Sequence, residues 1–309
     1  MNSKELLAFI KSDGPSVHQA DIAFIRTPVS LSGDSVARLA AYLTRETSAD
    51  VMVSVGVDES QLAIYNQNNK SNFVILPAAN YKIIGPAQLN IKAGEVVSAD
   101  SLKIQLLDRL KLNDLNGYIL PLSVKEVSSK DKGVQASSSY RTVFIKAASK
   151  YTNIDLSKKT TPAGTLIDRT NPSWSIISAS TPYSSSYPAI NVLDGKNNTY
   201  WFAGGADNNI VLDMSAVNAV KGFILAPTYA FGTSYNATKI EVLTSTDNQN
   251  WVSQGAYTTD AVLSSSSANA PDYRNINFYG PVTCRYVKFI LNGGMGSGYN
   301  GFAEINAIK

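Results

Sequence analysis

Apolar side chains recur at every second position over much of this chain. Val51, Val53, Val55 and Val57 alternate with Met52, Ser54 and Gly56; Leu102, Ile104 and Leu106 repeat the pattern, and Thr142-Val143-Phe144-Ile145 follows it. Successive side chains on a strand point to opposite faces, so this period predicts strands with one buried face. Phe73-Val74-Ile75-Leu76-Pro77 is a short apolar run stopped by proline, as at a sheet edge or strand end. Asn66–Lys70, Asn113–Gly117 and Ser128–Gly133 are turn-rich breaks. Val36, Leu39, Ala40 and Leu43 permit a helix instead. With so little helix between the strands, residues 29–150 predict an antiparallel sandwich. Before them, residues 1–28 read as an N-terminal arm in which Leu6, Leu7 and Ile10 mark at most a helical turn or two.

The second half repeats the strand pattern. Trp174–Ser178, Ile210–Met214, Gly222–Pro227, Lys239–Thr244, Arg285–Leu291 and Glu304–Ile308 are short apolar segments separated by Gly, Ser, Asn or Pro. Between the halves, residues 151–168 contain Ser157-Lys158-Lys159-Thr160-Thr161-Pro162-Ala163-Gly164, a polar, aperiodic stretch that predicts a linker. The expected class is all-β, with two β-sandwich domains at 29–150 and 169–309.

Composition narrows the chemistry. The 309 residues suit about two domains, and 44% hydrophobic with 17% charged residues suits a folded chain. A net charge of +3 without a basic block argues against a nucleic-acid surface. The sole cysteine, Cys284, excludes an intrachain disulfide and reads as a buried, inert thiol. The sole histidine, His18, reads as a solvated side chain, and it leaves no Ser/His/Asp set and no Cys/His cluster for zinc. No apolar run reaches the roughly 20 residues of a membrane-spanning helix, and residues from Met1 onward do not form an export signal.

Two kinds of loop carry candidate chemistry. In Asn191–Trp201, Asp194-Gly195 is a turn signal, and Asp194 and Thr199 offer hard oxygens such as calcium takes. The same residues also read as a solvated turn before a core tryptophan. The other loops are aromatic: Tyr229–Asn236 places three rings in eight residues, and the glycine-rich Gly293–Gly301 carries Tyr299. Sugar rings stack an apolar C–H face on aromatic rings and need a few fixed polar partners, so such loops suit a shallow sugar site. The alternative is rings that merely pack on one another. The glycine-rich loop lacks the Lys-Ser/Thr ending of a phosphate cradle.

Four ordered segments carry a resemblance. Pro188–Gly195 leading to Thr199-Tyr200-Trp201, then Ile240–Trp251, then Arg285–Phe289, then Phe302-Ala303-Glu304-Ile305 resemble the coagulation factor V/VIII type C (discoidin) domain, whose bacterial branch is carbohydrate-binding module family 32. The resemblance covers roughly residues 169–309 and implies a jelly roll, with Trp201 and Trp251 as core rings. It implies a structural calcium held by the carboxylates of Asp194 and Glu304, by Thr199, and by carbonyls of Asn191, Lys196 and Ala303. It also implies glycan contact through loops matching Ala203–Asp207, Tyr229–Asn236 and Met295–Asn300. The candidate glycan residues are Tyr229, Tyr235, Asn236, Tyr299 and Asn300, with Arg274 as the nearest loop arginine.

Val57-Asp58, Ala63–Asn66, Ile75–Ala78, Ile91–Gly94 and Tyr118–Leu122 resemble a domain of unknown function at the N-terminus of Bacteroidetes surface lipoproteins encoded with glycan-utilisation machinery. That implies an extracellular place on the outer membrane, or secretion, with other glycan-utilisation proteins as partners. The resulting expectation is a non-catalytic, cell-surface carbohydrate-binding protein. Adhesion to a protein partner ranks next, then lipid, then an enzyme of the two-carboxylate glycosidase type.

Overall fold

The computed structural model describes residues 5–14, 16–114, 116–205, 207–294 and 298–309. The chain divides into two compact units: residues up to Arg26 with Ser30–Lys150, and Tyr151–Lys309 with Thr27–Val29.

The N-terminal unit has two sheets. One runs in the order Gln135–Ala136, Leu7–Ser12, Val36–Leu43, Leu102–Leu106, Tyr81–Ile84. The other runs Leu31–Gly33, Gln19–Arg26, Thr142–Tyr151, Tyr118–Ser129, Val51–Val57, Gln88–Ile91, with Val74–Ile75 beside Tyr118–Ser129. The alternation seen in the sequence puts Ile10, Leu39 and Ile104 from the first sheet in one core with Ile22, Val53, Leu120 and Val143 from the second.

The structure corrects two expectations and decides one segment that the sequence left open. Residues 1–28 are not an arm: Leu7–Ser12 pairs antiparallel with Val36–Leu43, and Ile10, Ile22 and Phe24 are core residues. Ala8/Ile10 and Ala20/Ile22/Phe24 do have the two-residue period, in runs short enough to pass for irregular chain. Val36–Leu43 is a strand, because Ala37, Leu39, Ala41 and Leu43 are the buried positions. A helix, Gln61–Asn69, stands where the sequence offered only a turn; it buries none of its residues, so no apolar stripe marks it.

In the C-terminal unit seven strands share one rolled sheet. Its order is Trp201–Ala203, Asn300–Ile308, Asn208–Pro227, Arg274–Asn292, Lys239–Ser245, Val252–Thr258, with Ser175–Ala179 on the flank of Asn208–Pro227. The strands of 20 and 19 residues, Asn208–Pro227 and Arg274–Asn292, stay paired through register shifts between Asp213 and Asn218 and between Val220 and Gly222. Bulges of this kind sharpen twist, and here they let one strand serve both faces of the roll. A Cβ on Gly222 would lie 2.1 Å from the Ile276 carbonyl oxygen, so the backbones meet there only because the residue is glycine.

Trp201, Phe223, Phe289 and Phe302 fill the interior with Ile210, Leu212, Val242 and Ile305. Trp201 is the core ring the sequence implied; Trp251 is only half-buried. Cys284 is fully buried, and burial pushes its thiol up to about 12. Residues 151–168 are not a free linker. Ile154 bridges to Phe278, Leu166 bridges to Ile308, and Ile154 and Ile167 are core residues of this unit. Two isolated apolar side chains in a polar stretch anchor it without leaving a period to read.

Candidate functional site

The Asp194 loop is closed from below by Glu304. Val192 is buried, and the short 3-10 turn Ala189–Leu193 delivers Asp194 to the surface. Gly195, at φ 81°, reverses the chain. Glu304 Oε1 accepts the N–H groups of Gly195 at 2.7 Å and Lys196 at 3.0 Å. Its Oε2 accepts from Arg169 Nη1, which also donates to the carbonyls of Val192 and Ile305. Asp194 Oδ2 accepts from the Thr199 hydroxyl at 2.7 Å, and the Lys196 carbonyl lies 3.2 Å from the same hydroxyl.

Burial pushes the Glu304 carboxyl above its ordinary range; Arg169 and the Gly195 N–H pull it back, and the neighbouring Asp194 carboxylate raises it again. Asp194 Oδ2, the Thr199 hydroxyl and the Lys196 carbonyl lie together as hard oxygens of the kind a hard cation takes, but both Glu304 oxygens already accept N–H donors, and among the described residues no three acidic, histidine or cysteine side chains gather as a metal-binding group. Asn191 sits at the loop entry, where its side chain donates to the Tyr200 carbonyl, and Ala303 is buried beside Glu304. Arg169, which the sequence reading did not select, is the residue that neutralises the buried half of this set.

The aromatic loops assemble at the strand Trp201–Ala203. Alternation turns Trp201 into the core and Phe202 to the opposite face. Phe202, 1% exposed, becomes the floor of a shallow hollow of about 300 Å³ walled by Tyr183, Phe231, Tyr235 and Tyr299. Ring centres lie 5.0 Å apart for Phe202–Phe231, 5.4 Å for Tyr183–Phe231, 5.7 Å for Tyr183–Tyr299 and 6.0 Å for Phe231–Tyr235. Tyr299 lies nearly parallel to Phe202, at 22°. Gly204 makes that possible: a Cβ there would sit 2.2 Å from Tyr299 Cε1.

Of the six residues picked from the sequence, Tyr235 and Tyr299 line this hollow. Asn236 and Asn300 are buried and hold the loops instead. Asn236 accepts from Thr228 N–H and donates to the carbonyls of Thr228 and Thr233. Asn300 donates to the Gly293 carbonyl and accepts from Asn208, which also reaches the Gly298 carbonyl. Tyr229 does not line the hollow; its hydroxyl accepts Asp272 N–H at 3.2 Å. Arg274 is buried, paired with Asp272 at 3.2 Å and donating to the Asp260 carbonyl, which removes it from any exposed loop. Met295, Gly296, Ser297 and Ala206, parts of the expected glycan loops, lie outside the described residues.

The sequence reading missed Tyr183, Phe202 and Phe231 as a set. Strand alternation after Trp201 was the available signal for Phe202. Tyr183 gave none, because its place depends on the pairing of Pro182 with Ala203 and of Tyr183 N–H with the Phe202 carbonyl.

Comparison with known proteins agrees with this architecture. Residues 176–306 match the model of the F5/8 type C domain, and residues 8–131 match that of a family of N-terminal domains. The C-terminal unit is thus similar to the F5/8 type C domain over residues 176–306. Over 98% of its length the chain resembles a two-domain protein of unknown function from Bacteroides fragilis, of which it covers 95%, at 18% identity and TM-score 0.62. It also matches the family 32 carbohydrate-binding module of Clostridium perfringens NanJ, solved with galactose, at 20% identity, 47% of this chain, 98% of that one and TM-score 0.39. The isolated F5/8 type C domain of a Bacteroides fragilis protein matches at 24% identity, 47% and 95% coverage and TM-score 0.40. No curated protein matches. The expected class, an all-β chain of two sandwich domains ending in a discoidin-like jelly roll, is the one found.

Proposed function

We propose that this chain is a non-catalytic glycan-binding protein acting outside the cell, with its site at the five-ring hollow. The observation that carries the reading is the exposure of that hollow: Tyr183 is 55% and Phe231 46% exposed, Phe231 on a loop held by buried Asn236 and Tyr183 on a segment tied by its N–H to the Phe202 carbonyl. Rings held open to water in a fixed arrangement suit the C–H face of a sugar, and three tyrosine hydroxyls offer hydrogen bonds at its edge. No carboxylate, lysine or arginine lines the hollow among the described residues, which favours a neutral saccharide.

Calcium is part of the proposal. When bound at Asp194, Thr199, Lys196 and Glu304 it would supply charge neutralisation and cross-link the loop to the last strand. Chelation is then expected to lower the thermal midpoint without abolishing the fold, since Arg169 already satisfies Glu304. Surface display through a lipid anchor rests on the resemblance of residues 29–148 to surface lipoproteins, and protease shaving of intact cells tests it.

A glycan array probed with the full chain and with a Tyr183→Ala/Tyr299→Ala variant tests the function. Binding by the first and a loss of at least tenfold in the second supports the reading. An array on which the calcium-loaded chain binds nothing would overturn it in favour of a protein partner, for which the exposed Phe231 ring is the best anchor.

A further inference from the structure

A second hollow, of about 260 Å³, opens in the N-terminal unit between the helix Gln61–Asn69 and the strands Gln19–Arg26 and Thr142–Tyr151. Ile64, Tyr65, Asn68 and Asn69 line it from the helix, Phe144 from one strand, and Ser16, His18 and Gln19 from the other side. Spacings of one, four and five residues from Ile64 put the helix contributors on one face.

The walls are fixed. Tyr65 packs on Phe144 at 4.6 Å and donates its hydroxyl to Gln19 Oε1 at 3.0 Å. Gln19 in turn donates to both Asp21 oxygens at 2.9 Å. Asn66 clamps the helix end by donating to the Phe73 carbonyl and accepting Phe73 N–H. His18 is not a free solvated side chain, for it lies flat on Tyr140 at 4.4 Å and 15°. Three groups on the rim stay uncommitted: among the described residues the Asn68 carboxamide, the Ser16 hydroxyl and both His18 ring nitrogens make no hydrogen bond.

The helix buries none of its residues fully and Ile64 is 50% exposed, so Tyr65, against Phe144 and Phe73, is its main apolar contact with the sheet. Apolar ring surface sits at the base, uncommitted amide, hydroxyl and imidazole groups stand at the edge, and among the described residues no charged side chain lines the space. The size falls just under the roughly 300–1,000 Å³ of ordinary small-molecule sites, room for a ligand of about one ring. We infer that this hollow is a second carbohydrate site, taking one neutral pyranose residue with its C–H face on Tyr65 and Phe144 and its hydroxyls on Asn68 and His18. It is independent of the C-terminal hollow.

The test uses the full chain carrying Tyr183→Ala/Tyr299→Ala, so that the C-terminal hollow does not answer. Galactose, N-acetylgalactosamine, glucose, N-acetylglucosamine and mannose are titrated to about 50 mM, where a millimolar site saturates. Amide and side-chain resonances of His18, Gln19, Asn68 and Asn69 are followed by NMR. At least one sugar should shift them saturably, and Asn68→Ala, a change at an exposed residue, should weaken that response at least tenfold while the thermal midpoint holds. Absence of shifts with all five sugars would overturn the inference. So would shifts of equal strength in both Asn68→Ala and His18→Ala.

Discussion

The C-terminal domain contains two sets of aromatic rings with nearly the same ring-to-ring spacings and different relations to water. In the interior, Phe223 meets Phe289 at 5.1 Å and Phe278 at 5.8 Å, and Phe289 meets Phe302 at 6.1 Å. At the loop end, Phe202 meets Phe231 at 5.0 Å and Tyr235 at 6.0 Å. The interior rings are covered by two faces of a rolled sheet. The loop-end rings lie over the strand Trp201–Ala203, and Tyr183 and Phe231 stay about half exposed above buried Phe202. Trp201 and Phe202, adjacent in sequence, belong to different sets because a strand sends neighbours to opposite faces. Ring contact alone therefore does not mark a site; what separates the sets is which rings remain uncovered after they have packed.

The largest test of that distinction is Phe223→Ala. It empties a fully buried position and should lower the unfolding free energy by about 4 kcal/mol, measured by urea titration. Arg169→Met should come next, at about 3 kcal/mol, because it leaves Glu304 buried beside Asp194 without its cation. Saturating calcium should restore part of that loss in the variant and add less to the wild type. Tyr183→Ala acts on the open set. Its edge contacts with Phe202, Phe231 and Tyr299 contribute about 1.5 kcal/mol or less to folding, but glycan binding should fall at least tenfold.

The smallest effect concerns Asp213, whose bidentate pair with Arg285 at 2.8 and 2.7 Å joins the two longest strands. Arg285 holds the Asp213 carboxyl below its ordinary range, with Ser215 N–H assisting. A lowered folded-state value stabilises the fold above the usual carboxylate range and is lost as pH falls through the folded value. Asp213→Asn should thus cost about 1 kcal/mol at pH 7, since Arg285 is partly exposed to screening water. The gap to the wild type should begin to close below about pH 4 and vanish only once pH falls below the lowered folded value.

The strands with one buried face were legible because their period of two survives in Val51–Val57 and Leu102–Leu106. The resemblance to the F5/8 type C domain was legible from Asp194-Gly195, Trp201 and Glu304, residues whose places follow from local turns and one strand. The binding surface was less so. Tyr235 and Tyr299 stand in loops rich in aromatic and glycine residues, which drew attention to them. Asn236, Asn300 and Arg274 drew the same attention and proved to be buried partners of carbonyls and carboxylates, because polarity does not distinguish a loop clamp from a ligand contact. Tyr183 and Phe202 come together with Phe231 only through pairings of residues far apart in sequence. The helix Gln61–Asn69 left no trace, since its residues serve no core.

The central claim is that, of the residues singled out by loop composition, only those whose rings remain uncovered in the hollow hold the ligand. Calorimetric titration of an array-selected glycan into wild type, Tyr299→Ala and Tyr229→Ala tests it most directly. The account predicts at least a tenfold loss for Tyr299→Ala, which removes a wall of the hollow, and unchanged affinity for Tyr229→Ala, whose hydroxyl serves the Asp272 backbone. The opposite ranking, with Tyr229→Ala losing the ligand and Tyr299→Ala keeping it, would contradict the account.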